Sequence, residues 1–190
     1  MEFDQFTREK KTIDLAKANV DALKYLVLFI FIFAGPYYLI WGFQLPDLDS
    51  EYLVLKAFAP LLIILVGMAV HELIHGVFFA LFAPKGWQSI KFGILWKMLT
   101  PYCHCKEPLK IKHYNIALLA PLLILGIIPA IIGLIIGNIL ILFLGIVFSA
   151  TAAGDIMIYL LIRKENPEHY VQDHPSEAGY YIFRKKESED

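Results

Sequence analysis

Charge is scarce in this chain. Of its 190 residues, 18% are Asp, Glu, Lys or Arg, where a soluble domain carries about a quarter. That shortage excludes a well-solvated globular surface of ordinary extent. The charges that are present sum to −1, and no segment gathers the basic stripe that nucleic acid requires, so no nucleic-acid partner is expected. Cysteine is rarer still. Cys103 and Cys105 are separated by one residue, a spacing poorly suited to a disulfide, and they give no framework of the secreted kind. A signal-peptide pattern is also missing. Glu2, Asp4, Glu9, Asp14 and Asp21 interrupt the basic residues at the N-terminus, and the first apolar run is too long for an h-region.

What fills the chain instead is apolar. Hydrophobic residues make up 58%, with 14 Phe and 10 Tyr, an aromatic load that suits bilayer interfaces. Mean hydropathy is +0.59. A membrane-crossing helix needs about 20 mostly apolar residues. Four segments qualify: Tyr25 to Phe43, Leu53 to Phe82, Tyr114 to Ile136, and Ile139 to Ile162. Gly35-Pro36, Pro60, Pro121 and Pro129 are expected to kink or locally break them. The fold class predicted is an all-α polytopic membrane protein with four transmembrane helices and a short β-like insert. Its parts are an N-terminal segment, 1–24, a four-helix core, 25–163, that includes the loop 83–113, and a tail, 164–190.

Direction follows from the Lys and Arg count between spans. Arg8, Lys10, Lys11, Lys17 and Lys24 precede span one. Lys85, Lys91, Lys97, Lys106, Lys110 and Lys112 lie between spans two and three, and Arg163, Lys164, Arg184, Lys185 and Lys186 follow span four. The remaining connections hold Asp47, Asp49 and Glu51, or little more than Gly137-Asn138. Both termini and the 83–113 loop are therefore expected in the cytosol, in the plasma membrane if the organism is a prokaryote. Phe3 to Leu23 reads as a mixed-charge helix, with Ile13, Ala16, Val20 and Leu23 at helical spacing, lying on the membrane surface or simply leading into span one. Ser89 to Trp96 and Met98 to Leu109 read as a pair of short strands. In the tail, Asp173-His174-Pro175 and Gly179 read as turns.

Span two carries the chemistry, in His71-Glu72-Leu73-Ile74-His75. Residues four apart share one helix face, so both imidazoles can reach one metal ion, and Glu72 is placed to take a proton from a water beside it. An ionisable group at the bilayer centre costs about 2–3 kcal/mol or more unless it is paired. Three of them within little more than one turn call for a joint purpose, and a metal provides one. Zinc in a catalytic site takes three protein ligands and keeps a fourth position open. Asp155 in span four is the further acid available within the spans. His75 lies ten residues before Lys85, and Asp155 lies eight before Arg163. At about 1.5 Å per residue both sit about 12–15 Å above the basic flank, at a shared level. The small residues Ser149 to Gly154, with Thr151 and Ala152 on the Asp155 face, and Gly67 on the His71 face, would let the two helices approach. His104, His113, Cys103 and Cys105 are rival third ligands if the loop folds back. Asn115, His104 and His113 are candidates for stabilising an oxyanion, with none favoured.

With these residues in hand, the sequence resembles two related groups. A helix with HExxH, an insert with strand-like segments, a third span and a helix with an intramembrane Asp is similar to the core of the site-2 protease class of zinc intramembrane proteases. His71-Glu72-Leu73-Ile74-His75-Gly76, the segment Tyr102 to Leu109 ending Lys106-Glu107-Pro108-Leu109, Gly154-Asp155 and Asp173-His174-Pro175 more closely resemble DUF3267, a family of zincin peptidases. Gly154-Asp155-Ile156 differs from the Leu-Asp-Gly typical of the larger class, and there is no PDZ-like insert. The resemblance implies a Zn²⁺-dependent intramembrane protease that cuts a membrane-embedded protein substrate after local unwinding. His71, His75 and Asp155 would be the ligands and Glu72 the catalytic acid-base. A metal-binding membrane protein without proteolytic activity is the alternative. A metal transporter is a weaker one, because the outer halves of spans one, three and four carry almost no polar groups along which an ion could pass.

Overall fold

The computed structural model of the chain describes residues 6–12, 15–43, 53–96, 100–174 and 179–185. Helices dominate. The first, α1 (Leu15–Phe29), runs through a π-helical turn (Ile30–Ala34) into α2 (Gly35–Trp41). The longest, α3, spans Leu53–Phe82. Next, α4 (Ile111–Pro121) continues through a second π turn (Leu122–Ile127) into α5 (Ile128–Ile136). Last come α6 (Ile139–Thr151) and α7 (Ala153–Ile162). Both π turns have a proline just beyond them, Pro36 and Pro129. Proline lacks the N–H of an i→i−4 bond, and a wider turn ahead of it accommodates the loss without breaking the rod. Pro60 lies inside α3, which stays continuous around it.

Among the described residues, three helices are long and apolar enough to cross a membrane: Val20–Trp41, Phe58–Phe82 and Ile111–Ile136. The expected fourth span divides into α6 and α7, which meet at 47°. Lipid explains what the outer faces expose. Leu39 is 83% exposed, Phe31 79% and Val54 72%, a surface that hydrocarbon tails would cover and water would not. The chain is thus a membrane protein by the length and composition of its helices.

Inside the bundle, α5 and α6 form a tight hairpin. Gly133 meets the backbone of Leu142, and Gly145 meets that of Ala130. The turn between the two helices uses Gly137 in the left-handed region, φ 70°, followed by Asn138, whose side chain accepts from the amides of Leu140 and Ile141. The first helix rod docks on this turn through side chains: Tyr37 donates to the Gly137 carbonyl at 2.9 Å and Trp41 to that of Leu134 at 2.8 Å.

The all-α expectation falls short at the other end of the bundle. Phe6–Thr12 is a strand, β1, and the helix begins only at Leu15. The predicted helix from Phe3 to Leu23 is therefore wrong in its first half, and Phe3, Ile13 and Asp14 lie outside the described residues. The reason is non-local. β1 pairs antiparallel with β6 (Gly179–Lys185), from Phe6↔Lys185 to Thr12↔Gly179, and helical periodicity cannot register a partner so distant in sequence. The tail supplies β5 (Tyr170–Asp173) as well, and with β4 (Leu109–Lys110) a four-stranded sheet of order β1-β6-β5-β4 results. The expected strand pair in the insert is present as β2 (Ile90–Leu95) and β3 (Thr100–Cys105), entered through a 3₁₀ turn, Gly86–Ser89. Met98 and Lys97, like Asp47, Asp49, Glu51, Pro175 and Lys186, fall outside the described residues. Tyr114, Tyr180, Ile111 and Ile182 are fully buried in the core that binds this sheet to the helices.

Ion pairs close the sheet. The Glu165 carboxylate accepts from Arg184 Nη2 at 2.6 Å and from Lys11 Nζ at 3.1 Å, and Arg184 also reaches Glu9. The Arg184 hydrogen bonds hold the Glu165 carboxyl at about 2, against an ordinary 4.5. A carboxyl lowered on folding stabilises the fold above its unfolded pKa and loses that contribution as pH falls towards the folded value. Glu165→Gln is therefore expected to lower the melting temperature at pH 7. The gap to wild type should close between about pH 4.5 and about 2. Melts of both proteins in detergent across that range check it, and a pH-independent gap would contradict the pairing.

Candidate metal centre

α3 places His71 and His75 one turn apart, at 7% and 6% exposure, with their rings edge to face at a centroid distance of 4.8 Å. Asp155 arrives from α7. The bend at Ala152, φ −77° and ψ 10°, starts a new helix two residues before it, so Asp155 stands in the first turn of α7. The positive dipole end of that turn favours a carboxylate. His71 Nε2 lies 3.2 Å from Asp155 Oδ2, His75 Nε2 lies 3.4 Å from Asp155 Oδ1, and the two Nε2 atoms are 3.2 Å apart. These three residues are the one group of His, Cys, Asp or Glu among the described residues whose donor atoms gather within 4.8 Å.

The donor set suits zinc. Ligand atoms at about 2.0–2.1 Å from a tetrahedral ion stand about 3.3–3.4 Å from one another. The two Nε2 atoms are 3.2 Å apart, and each lies near one oxygen of the Asp155 carboxylate, His71 at 3.2 Å from Oδ2 and His75 at 3.4 Å from Oδ1. The His75 tautomer suits it too. Its Nδ1–H donates to the Ala117 carbonyl of α4 at 3.0 Å, which leaves the Nε2 lone pair for a metal. His71 Nδ1 is buried with no such partner among the described residues. Below the histidines an aromatic stack supports His75: Phe79 at 6.0 Å, then Tyr114 against Phe79 at 5.3 Å.

Glu72 lies beside the group, and the backbone amide of Cys103 in β3 faces its carboxylate. The β2–β3 hairpin thus folds over this part of α3. Phe92 rests on Gly76, where a Cβ would stand 2.4 Å from its ring. The rival ligands are elsewhere. His113 stacks flat on Phe82 at 4.5 Å, His104 Nδ1 faces Asp173 at 3.9 Å, and neither thiol joins the donor group. Burial pushes the Cys105 thiol up to about 12 and holds Cys103 far above its ordinary value as well, so both stay protonated and inert as nucleophiles. Burial also lowers His104, against the pull of Asp173. Asn115 Oδ1 is buried without a hydrogen-bond partner among the described residues.

The expected close approach of small residues takes another form. Gly67 of α3 receives the ring of Phe148 from α6, and Ala152 belongs to a core cluster with Phe29 and Phe33 of the first helix rod. Thr151 is exposed, with its hydroxyl donated to the Phe148 carbonyl. A glycine can serve a large ring as readily as a small neighbour, and sequence does not distinguish the two. Sequence reasoning also missed the Ala117 carbonyl and the Cys103 amide. Backbone groups leave no mark in residue type.

Apolar helices bring two histidines and a carboxylate around one point, with a glutamate alongside, in a membrane protein with a candidate metal site. The chain belongs to the family DUF3267, described as "Putative zincin peptidase", whose sequence model matches residues 64–170, more than half of the chain. The match takes in His71, Glu72, His75, the hairpin and Asp155, and it ends before Asp173-His174-Pro175. No curated protein and no solved structure matches the chain.

Proposed function

We propose that this protein is a zinc-dependent intramembrane metallopeptidase of the site-2 protease type, hydrolysing a peptide bond in or near a transmembrane segment of another protein. The observation that carries the reading is the convergence of one donor atom each from His71, His75 and Asp155 within 4.8 Å of one another, in helices apolar enough to lie in a bilayer. Zinc at that point would polarise the scissile carbonyl and lower the pKa of a water towards neutrality. His71, His75 and Asp155 would hold the ion. Glu72 takes a proton from the attacking water and passes it to the leaving amine. The hairpin over Glu72 would keep an unwound substrate segment extended by strand addition at its open edge.

The sheet supports a four-span topology. β1, β4, β5 and β6 come from the N-terminal segment, the insert and the tail, so these three parts lie on one side of the helices. That arrangement favours α6 and α7 together as one broken crossing, which would return the chain to the same side. The Lys and Arg bias supports the cytosol as that side.

The test is the metal content of detergent-purified protein, wild type beside Asp155→Ala. One zinc per chain is expected in the wild type, with affinity at least about 100-fold weaker in the variant, beyond what losing a mere outer partner of a ligand costs. Zinc held equally by both would move the third ligand elsewhere. No metal in folded wild type would end the peptidase reading.

A further inference from the structure

Strand β3 has a row of backbone groups that point away from β2, and the pairing register identifies them. Lys106 N–H donates to the Ser89 carbonyl at 2.8 Å, and from there hydrogen-bonded and non-bonded pairs alternate along the ladder. The pairs Ile90↔Cys105, Phe92↔Cys103 and Ile94↔Pro101 are then the non-bonded ones, so the amides at 101, 103 and 105 point outward. Each position has an answer. Pro101 carries no N–H. The Cys103 amide faces Glu72. The Cys105 amide donates to Asp173 Oδ2 at 2.9 Å.

Asp173 belongs to the end of β5, a strand of the other sheet. Its second oxygen accepts from Tyr114 Oη at 2.5 Å, and Tyr114 packs on the Phe79 ring beneath His75. One carboxylate therefore joins the tail sheet, the edge of β3 and the helix α4 that also supplies the Ala117 carbonyl to His75. Gln172, one residue earlier, donates to the Lys106 carbonyl at 2.5 Å, just past the end of β3.

We propose that Asp173 is a positioning residue for Glu72: it pins β3 at Cys105, and the strand so pinned presents the Cys103 amide that orients the Glu72 carboxylate. The tail is then part of the reaction machinery. This rests on Glu72 being the acid-base group. A backbone amide two residues along a strand moves with its neighbour, because an extended strand does not bend freely at one peptide. Without Asp173 the Cys105 amide is left buried and unpaired, at about 1–3 kcal/mol, and the edge of β3 would shift to find a new partner.

Cobalt(II) provides the probe, since its visible absorption reports the coordination of the ion and the groups next to it. The full-length protein is loaded with Co²⁺ at a fixed pH as wild type, Glu72→Gln, Asp173→Leu, which has no acceptor for the Cys105 amide, and the double variant. All four are expected to bind one Co²⁺ per chain. The spectra of Asp173→Leu and Glu72→Gln should depart from wild type in the same direction, and the double variant should match Glu72→Gln. Tyr114→Phe, which keeps the ring and removes one donor to Asp173, should shift the spectrum the same way by less, and it covers the case in which Asp173→Leu does not fold. A residue that served folding alone would lower the melting temperature and leave the spectrum of the folded protein unmoved. Wild-type spectra in both Asp173→Leu and Tyr114→Phe, or a double variant that departs beyond Glu72→Gln, would overturn the proposal. A wild-type spectrum in Glu72→Gln is a different failure: Glu72 would not touch the open position, and the role assigned to it in hydrolysis would fall as well.

Discussion

Glu72→Gln is expected to lower peptide-bond hydrolysis by about 10²–10⁴-fold while zinc stays bound at wild-type stoichiometry. Glutamine keeps the size and the hydrogen-bonding reach of glutamate but cannot take up a proton. His71, His75 and Asp155 are untouched, and Glu72 is not in the donor group, so the metal has no reason to leave. The Cys103 amide would meet an amide oxygen where it now faces a carboxylate. The assay is cleavage of single-span membrane reporters in reconstituted vesicles, read beside zinc content. Cleavage at the wild-type rate in the variant would remove Glu72 from the mechanism. Zinc retained by a wild type that cuts none of the reporters would favour the non-proteolytic metal-binding reading over the peptidase one.

Gly145→Leu is expected to destabilise the membrane core by about 3 kcal/mol or more, at the upper end of what overpacking costs. A Cβ at Gly145 would stand 2.4 Å from Ala130 N and 2.7 Å from its Cα. Those are backbone atoms of α5, so no rotamer change relieves the clash, and the α5–α6 hairpin would have to open. In lipid such close approach is itself a main source of helix association, since apolar side chains gain little by leaving hydrocarbon for one another. The damage should reach the metal centre, because α6 leads directly into the bend that sets Asp155. Thermal release of zinc in detergent measures both effects. Gly35→Ala is the matched control, since a Cβ there meets nothing within 4 Å and the variant should melt with wild type. Equal melting of Gly145→Leu and wild type would mean that α5 and α6 are not packed as described.

How much of this could be read from residues alone differs from part to part. The spans were legible because burial in lipid is written into composition: a run of about 20 apolar residues has few other uses. Their ends moved by a few residues, from Tyr25 to Val20 for the first and from Tyr114 to Ile111 for the third. The hairpin was legible from its alternating apolar residues, and β2 and β3 lie within the segments expected. The sheet of β1, β6, β5 and β4 was not. Its strands come from opposite ends of the chain, and Arg8, Lys10 and Lys11 present the polar pattern of a surface helix until the partner strand is known.

The sequence by itself determined the membrane character, the pairing of His71 with His75 on one helix face, and the candidacy of Asp155. Each of these depends on local spacing or on composition, which the chain carries wherever it goes. Tertiary structure decided the rest. It brought Asp155 to 3.2 Å from His71 through a bend that no proline marks, and it turned His75 by a carbonyl from another helix. It also set the Cys103 amide against Glu72, strand to helix, and Asp173 against Cys105, sheet to sheet. Directed contacts between distant backbone and side-chain groups depend on where whole elements come to rest, and residue type at one position says nothing about that.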